Sequence, residues 1–303
     1  MSKQSTDDLV DLTERITRTC TFCFTGGGFG DIWRCTLQTG ATYDEVAVKA
    51  IRFQSVEVGP SQEKALRREL GTWKRLKHTN ILPLLGIATG FSPFISMVSP
   101  WCEHGSLAVY LNKYESITLS DRLRLLQDVA SGLHYLHHDG IPVVHGDLTP
   151  NNVLLNDDKR AVLTDFGLSS VLGDITGFSY LQWSCAQPGV IRYSAPELLR
   201  DPDAPVQPDI RSDIYSFGCL ALKVLSGNEP WADVKHWRTI LIKVADGHSQ
   251  QRPTCSPVLD VHWQLIQRCF LQPGARPSTH HILKILEELQ SEGIRQIVSS
   301  IVD

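Results

Sequence analysis

Between Thr19 and Val98 the chain reads as short runs of alternating apolar and polar residues, at 21–24, 31–37, 45–52, 81–87 and 94–98. A period of two sends successive side chains to opposite faces of a strand, and the Val, Ile, Thr and aromatic content of these runs favours strands. One segment breaks the rhythm. Leu66, Leu70, Trp73 and Leu76 recur at three or four residues and predict an amphipathic helix over 61–77, with Lys64, Arg67, Arg68, Lys74 and Arg75 as its solvated face. From about Leu107 helical spacing takes over, and Leu123, Leu126, Val129 or Ala130, Leu133 and Leu136 form a stripe that Gly140 ends. The pattern predicts a small sheet with one helix, followed by a larger, mainly helical unit. Ahead of Thr19, the spacing of Leu9, Val10, Leu12 and Ile16 predicts a short helical extension packed on the main body. The stretch from Ser169 to Arg192, rich in Ser, Gly, Thr and Gln, reads as a long functional loop.

Composition narrows the class without naming an activity. A chain of 303 residues with 42% hydrophobic and 20% charged residues is globular and long enough for about two compact units. With 29 Lys+Arg against 33 Asp+Glu the net charge is −4, so neither nucleic acid nor an anionic membrane is expected as a partner. The first residues lack the apolar core of a signal peptide, and no run approaches a membrane span, so a cytoplasmic location is expected. Of the 8 cysteines only Cys20 and Cys23 form a C-x-x-C pair. Without a second such pair no zinc site is expected, and the thiols are expected to be reduced.

Chemistry concentrates in a few stretches. The run Gly26-Gly27-Gly28-Phe29-Gly30, followed by Ile32, lies between two strand-like runs. It suits either a loop whose backbone N–H groups cover phosphates or a tight hairpin turn. Lys49 ends the alternating strand Val46-Ala47-Val48-Lys49. Glu69 falls three residues after Leu66 and four before Trp73, which directs its carboxylate along the buried side of the helix, where it needs a cation such as Lys49. Farther on, His145-Gly146-Asp147-Leu148-Thr149-Pro150-Asn151-Asn152 precedes the apolar run 153–155, and Thr164-Asp165-Phe166-Gly167 follows 161–163. A hairpin between these polar stretches brings Asp147, Asn152 and Asp165 together. The oxygens of Asn152 and Asp165 suit Mg²⁺, and Asp147 is placed to accept a hydroxyl proton.

In this order and spacing, the residues resemble a eukaryotic protein kinase catalytic domain of the tyrosine-kinase-like group, serine/threonine type, over about residues 21–289. The resemblance implies an α+β, bilobal fold. An extension (1–18) precedes an N-lobe (19–98) with a five-stranded antiparallel sheet plus one helix, and 99–297 holds the hinge and the larger helical C-lobe. It implies ATP and Mg²⁺ as cofactors and a protein substrate, and leaves the oligomeric state undefined. Lys49 then orients the phosphates and pairs with Glu69, Asp147 is the catalytic Asp, and Asn152 and Asp165 hold Mg²⁺. The stretch 98–107 is similar to the family's hinge. Ser99 falls at the gatekeeper position, with the carbonyl of Pro100 and the N–H of Cys102 against adenine and Ala47 nearby. Further matches are Ala195-Pro196-Glu197, the run 212–218 and Arg276-Pro277, of which Glu197 and Arg276 resemble the family's buried ion pair.

The chain departs from that pattern at four positions. Thr25 replaces the first loop glycine, Gly146 an arginine that reads loop phosphorylation, Thr149 a lysine at the transferring phosphate, and Val190 a threonine that contacts the catalytic Asp. With Gly146 in place, activity is expected not to depend on phosphorylating Ser169, Ser170, Thr176, Ser179, Tyr180 or Ser184, and a dependence would require another cation such as Arg192 or Arg160. The departures leave three expectations: a slow serine/threonine kinase, a nucleotide-binding pseudokinase that acts as a scaffold, or a kinase of tyrosine or dual specificity.

Overall fold

The computed structural model describes residues 9–27, 30–51, 60–114, 117–138, 143–166, 188–200, 206–253 and 258–302. They form two compact units, one up to Glu103 and one from His104.

In the first unit the period-two alternation becomes a long hairpin, β3 (Gly30–Thr39) against β4 (Thr42–Ile51), paired antiparallel from Gly30↔Ile51 to Thr39↔Thr42. Strand β6 (Ser96–Pro100) adds to β4, and β5 (Gly86–Ala88) to β6. On the other side of β3, β1 (Ile16–Arg18) pairs with its far end and β2 (Thr25–Gly27) with its near end. Six segments thus run on five lines of a curled antiparallel sheet, as the resemblance implies. Cys35, Val46, Val48 and Val98 are fully buried on one face and share a core with Leu12, Leu37 and Ala88. Each buried Val or Leu in such a core is worth about 1.5–3 kcal/mol. Ile32, Lys49 and Met97 are cross-strand partners one residue out of phase with that core, as are Ala47 and Ser99, so this set points from the opposite face.

Helix α1 (Pro60–Arg75) takes the predicted place and buries Leu66, Leu70 and Trp73. Trp73 Nε1 donates to the Leu82 carbonyl at 2.6 Å. Lys74 does not belong to a solvated face, because its Nζ donates to the carbonyls of Leu84 (3.1 Å) and Leu85 (2.6 Å) and holds down the segment leading into β5.

The segment ahead of Thr19 overturns the helical expectation. Leu12 N–H donates to Ile87 O (2.8 Å) and Ile87 N–H to Val10 O (2.9 Å), a parallel bridge along β5. Asp11 Oδ1 then accepts from Thr13 N–H (2.9 Å) and turns the chain through one 3₁₀ turn, Thr13–Arg15, into β1. Unpaired groups on two strand edges offer this backbone more hydrogen bonds than an isolated helical turn does. The result is a strap across the sheet, seated by Leu12. The predicted strand at 21–24 is also displaced. Its alternation is genuine, but Phe22 is 81% exposed and the paired strand begins at Thr25.

The strap explains Gly86. A Cβ there would stand 2.3 Å from Val10 O and 2.8 Å from Leu12 Cδ1. Gly86→Ala is expected to destabilise the protein by about 1–3 kcal/mol, the range for overpacking a closed site. Limited proteolysis should cut near residue 10 faster in the variant, and an unchanged cleavage rate would count against the strap.

The second unit is mainly helical. Helix α2 (Leu107–Lys113) is capped by Ser106, whose Oγ accepts from Val109 N–H at 3.3 Å. Helix α3 (Leu119–His138) buries the predicted stripe and packs against the hairpin β7 (Val153–Leu155) and β8 (Ala161–Leu163). After the short α4 (Pro188–Ile191) comes α5 (Ile210–Ser226), buried from Ser212 to Leu225 and started by a reciprocal capping box between Asp209 and Ser212. Helices α6 (Trp237–Ala245), α7 (Asp260–Cys269) and α8 (Thr279–Val302) complete the unit, with α8 against α3 and α7 against α5. Among the described residues no helix is long and apolar enough to cross a membrane.

Candidate active site

The predicted site residues fall in two sets, one in each unit. In the second unit, one buried carboxylate organises the loop 143–149. Asp213, near the start of α5, accepts from His145 N–H (2.8 Å), Gly146 N–H (2.9 Å) and His137 Nε2 (2.9 Å). Burial alone would raise its pKa, but the His137 hydrogen bond, the charges of His137 and His145, and the Gly146 N–H together hold it below the usual carboxylate value. Gly146 sits at φ 73°, a left-handed conformation that costs other L-residues roughly 1–2 kcal/mol, so the absent arginine coincides with a relaxed turn.

This anchor presents the next residue. Asp147 is 4% exposed, and Asn152 Nδ2 donates both to its carbonyl (2.8 Å) and to Oδ2 (2.6 Å). Those two bonds fix the amide of Asn152 and leave its Oδ1 as the oxygen for a cation. Asn152 leads directly into β7, and Thr164, just past β8, donates its N–H to Asn152 O at 3.1 Å. The hairpin therefore brings Asp165 back beside Asn152, as the spacing predicts. Asp165 is itself at φ 62°, an uncommon conformation for a non-glycine residue and one that Asp tolerates better than most. An amide oxygen and a carboxylate are the hard donors that Mg²⁺ takes, so this set fits that ion.

His145 lies beneath the loop with no exposed surface, its ring edge-on to Phe166 with centroids 6.2 Å apart. Burial pushes its imidazole below the ordinary 6.5, against the opposing charges of Asp213 and Asp165. With a lowered folded-state pKa, the unfolded chain binds the proton first. The contribution is complete above the ordinary value and drains away as pH falls below it, and Asp213, also lowered, adds a loss at more acid pH. Tm is expected to be flat above about pH 7 and to fall on acidification through 6, with His145→Gln showing a shallower fall there. Parallel curves for the two proteins would contradict this.

In the first unit, Thr25 pairs with Ile32 and Gly27 with Gly30, so the glycine run is the turn end of the β2–β3 hairpin. Gly28 and Phe29 lie outside the described residues. Ile32 is the cross-strand partner of Lys49, and Ala47 is that of buried Ser99. Pro100 closes β6 opposite Val46, and Trp101 N–H donates to Glu45 O at 3.1 Å, which leaves Cys102, 9% exposed, just past the strand. Glu69 is half-buried on α1, its side chain 34% exposed, with Arg68 Nε at 3.8 Å.

The two cations considered for reading a loop phosphate are already engaged. Arg160 forks onto buried Asp128, and Arg192 donates to the carbonyls of Pro230 (2.6 Å), Trp231 (2.9 Å) and Val234 (3.4 Å). Val190 lies in α4, while residues 169–184 fall outside the described residues. Glu197 and Arg276 do form the expected pair, with Nη2 to Oε2 at 2.9 Å and Arg276 2% exposed. The spacing of motifs did not indicate the roles of Asp213, His137 or Asp128. The resemblance did mark the run 212–218, which contains Asp213, but not the hydrogen bonds that Asp213 makes to the loop 143–149.

Residues 23–286, which include both sets, match the family described as "Protein tyrosine and serine/threonine kinase". The chain belongs to that family. It is 30% identical over 279 residues to the serine/threonine/tyrosine-protein kinase HT1 of Arabidopsis thaliana, covering 88% of this chain and 64% of the relative. It is 32% identical to the Raf homolog serine/threonine-protein kinase of Caenorhabditis elegans over 73% of this chain and 26% of the relative. It is also 33% identical to the LRR receptor-like serine/threonine-protein kinase EFR of A. thaliana, over 75% and 22% respectively. The chain thus spans from under a quarter to just under two thirds of these curated relatives.

Proposed function

We propose that the protein transfers the γ-phosphate of ATP to serine or threonine hydroxyls of protein substrates in intracellular signalling. The observation that carries this reading is the held carboxylate. Asp147 is buried, fixed through Oδ2 by Asn152, and its loop is pinned from behind by Asp213. A chain that only bound nucleotide would have no use for so constrained an acid.

In this reading Lys49 orients the phosphates with Glu69 as its counter-ion, and Ala47, Ser99, Pro100 and Cys102 border the adenine. Asn152 and Asp165 would hold Mg²⁺, which would neutralise charge on the phosphates. Asp147 orients the substrate hydroxyl and accepts its proton. With Thr149 in place of a lysine, one donor to the developing charge is missing. Loss of a single such donor costs about 2.7–4 kcal/mol, or roughly 10²- to 10³-fold in rate, so the enzyme is slow rather than inert. The coincidence of Thr25, Thr149 and Val190 favours a second reading, a nucleotide-binding pseudokinase that acts as a scaffold.

The test is phosphoamino acid analysis after incubation with γ-labelled ATP, Mg²⁺ and a generic protein substrate. Label on serine and threonine supports the proposal, and label on tyrosine alone overturns the specificity. Thermal stabilisation by ATP without any transfer establishes the pseudokinase instead.

A further inference from the structure

Arg34, Glu45, Trp101 and Glu103 form one connected cluster in the first unit. Arg34 on β3 is the cross-strand partner of Ala47, which is in turn that of Ser99, so Arg34 shares their face of the sheet. Its guanidinium forks onto Glu45, Nε to Oε1 at 3.0 Å and Nη2 to Oε2 at 2.7 Å, and Nη2 also donates to Glu103 Oε2 at 3.0 Å. The same Glu103 oxygen accepts from Trp101 Nε1 at 2.9 Å, and the guanidinium lies over the indole, 4.8 Å from the ring centroid. Phe24, the residue ahead of β2, meets the indole edge-on with centroids 4.9 Å apart. The indole is thus held from β3, from the start of the glycine-bearing strand and by Glu103.

Stability is a poor reason for this arrangement. The Arg34, Glu45 and Glu103 side chains are 30, 51 and 59% exposed, and ion pairs so open to water contribute little to folding. What a bidentate fork does supply is a fixed orientation. The group it orients is backbone. Trp101 N–H donates to Glu45 O at 3.1 Å. The Pro100 carbonyl lies in the same peptide plane, and in a trans peptide it points the opposite way, away from Glu45. Contacts that hold Trp101 therefore also aim that carbonyl.

We propose that Trp101 and Arg34 are positioning residues for the nucleotide, which set its affinity and its base specificity through the Pro100 carbonyl. The role rests on the reading in which Pro100 borders the adenine. Adenine presents an amino group, a donor, where guanine presents a carbonyl, an acceptor. A Pro100 carbonyl held in one direction accepts from the first and repels the second. A carbonyl with freedom to turn gains less from adenine and repels guanine less, so the preference narrows.

The test is calorimetric titration with ATP and with GTP, each with Mg²⁺, of the full chain and of Arg34→Met, Arg34→Lys and Trp101→Phe. The parent is expected to bind ATP more tightly than GTP. Arg34→Met should weaken ATP about 2- to 10-fold, the range for one hydrogen bond, and leave GTP nearly unchanged. Arg34→Lys keeps the charge without the fork and should restore part of the ATP affinity. Trp101→Phe keeps a ring beside Phe24 but loses the bond to Glu103, and should narrow the preference less than Arg34→Met does. Melting temperatures of the nucleotide-free proteins should stay close together, because the ion pairs are exposed. Unchanged ATP affinity in Arg34→Met and Trp101→Phe, equal binding of ATP and GTP by the parent, or a loss shared equally by both nucleotides and tracking a fall in Tm would each overturn the proposal. A parent that binds neither nucleotide would overturn the underlying reading of the nucleotide site, and the positioning role with it.

Discussion

Replacing Asp213 by alanine is expected to lower the melting temperature by on the order of 10 °C, the largest stability effect of any single change in the second unit. Asp213 is 2% exposed and accepts three hydrogen bonds, from His137 and from the N–H groups of His145 and Gly146. Its loss leaves two buried amides without an acceptor. Breaking a buried charged network of this kind typically costs about 3–5 kcal/mol, and a domain of this size loses roughly 2–4 °C per kcal/mol. Asp213→Asn keeps one acceptor oxygen and should recover part of the loss. Thermal unfolding of the two variants and the parent checks the order, and equal melting temperatures for all three would show that the loop 143–149 does not depend on α5. Where the alanine variant remains folded, phosphate transfer should fall more steeply than stability, because Asp147 follows the loop.

Asp147→Asn should do the opposite. The amide is nearly isosteric, and its oxygen can still accept from Asn152 Nδ2, which now donates to Oδ2 at 2.6 Å, so Tm should move by no more than about 1 kcal/mol of stability implies. The rate should fall by about 10²- to 10⁴-fold, the usual contribution of a positioned general base. A variant that is both inactive and unstable would mean that Asp147 is a structural residue of the loop.

The parts of the fold that were legible in the sequence are those whose cause is local. The stripe Leu66, Leu70, Trp73 places α1 because the same three side chains that set the period also fill the core. Asp147, Asn152 and Asp165 come together because the short apolar runs around a hairpin permit hardly any other arrangement. What was not legible depends on partners far along the chain. Val10 and Leu12 carry a helix-like spacing, yet their backbone is claimed by Ile87. Lys74 looks like one of five solvated cations until the carbonyls of Leu84 and Leu85 are found within its reach. Thr21-Phe22-Cys23-Phe24 alternates like a strand, but only Phe24 reaches β3, its N–H donating to Ile32 O. Asp213 reaches back 68 residues to the amide of His145, a distance no periodicity encodes.

The central claim is that the constrained carboxylate at position 147 makes this chain an enzyme. Its most direct test is transfer of label from γ-labelled ATP to a serine- and threonine-containing protein with Mg²⁺ present, comparing the parent with Asp147→Asn at matched folded concentration. Slow but measurable transfer is expected from the parent, and at least about 100-fold less from the variant. Equal labelling by the two proteins, or none by either while both remain folded and bind ATP, would contradict it.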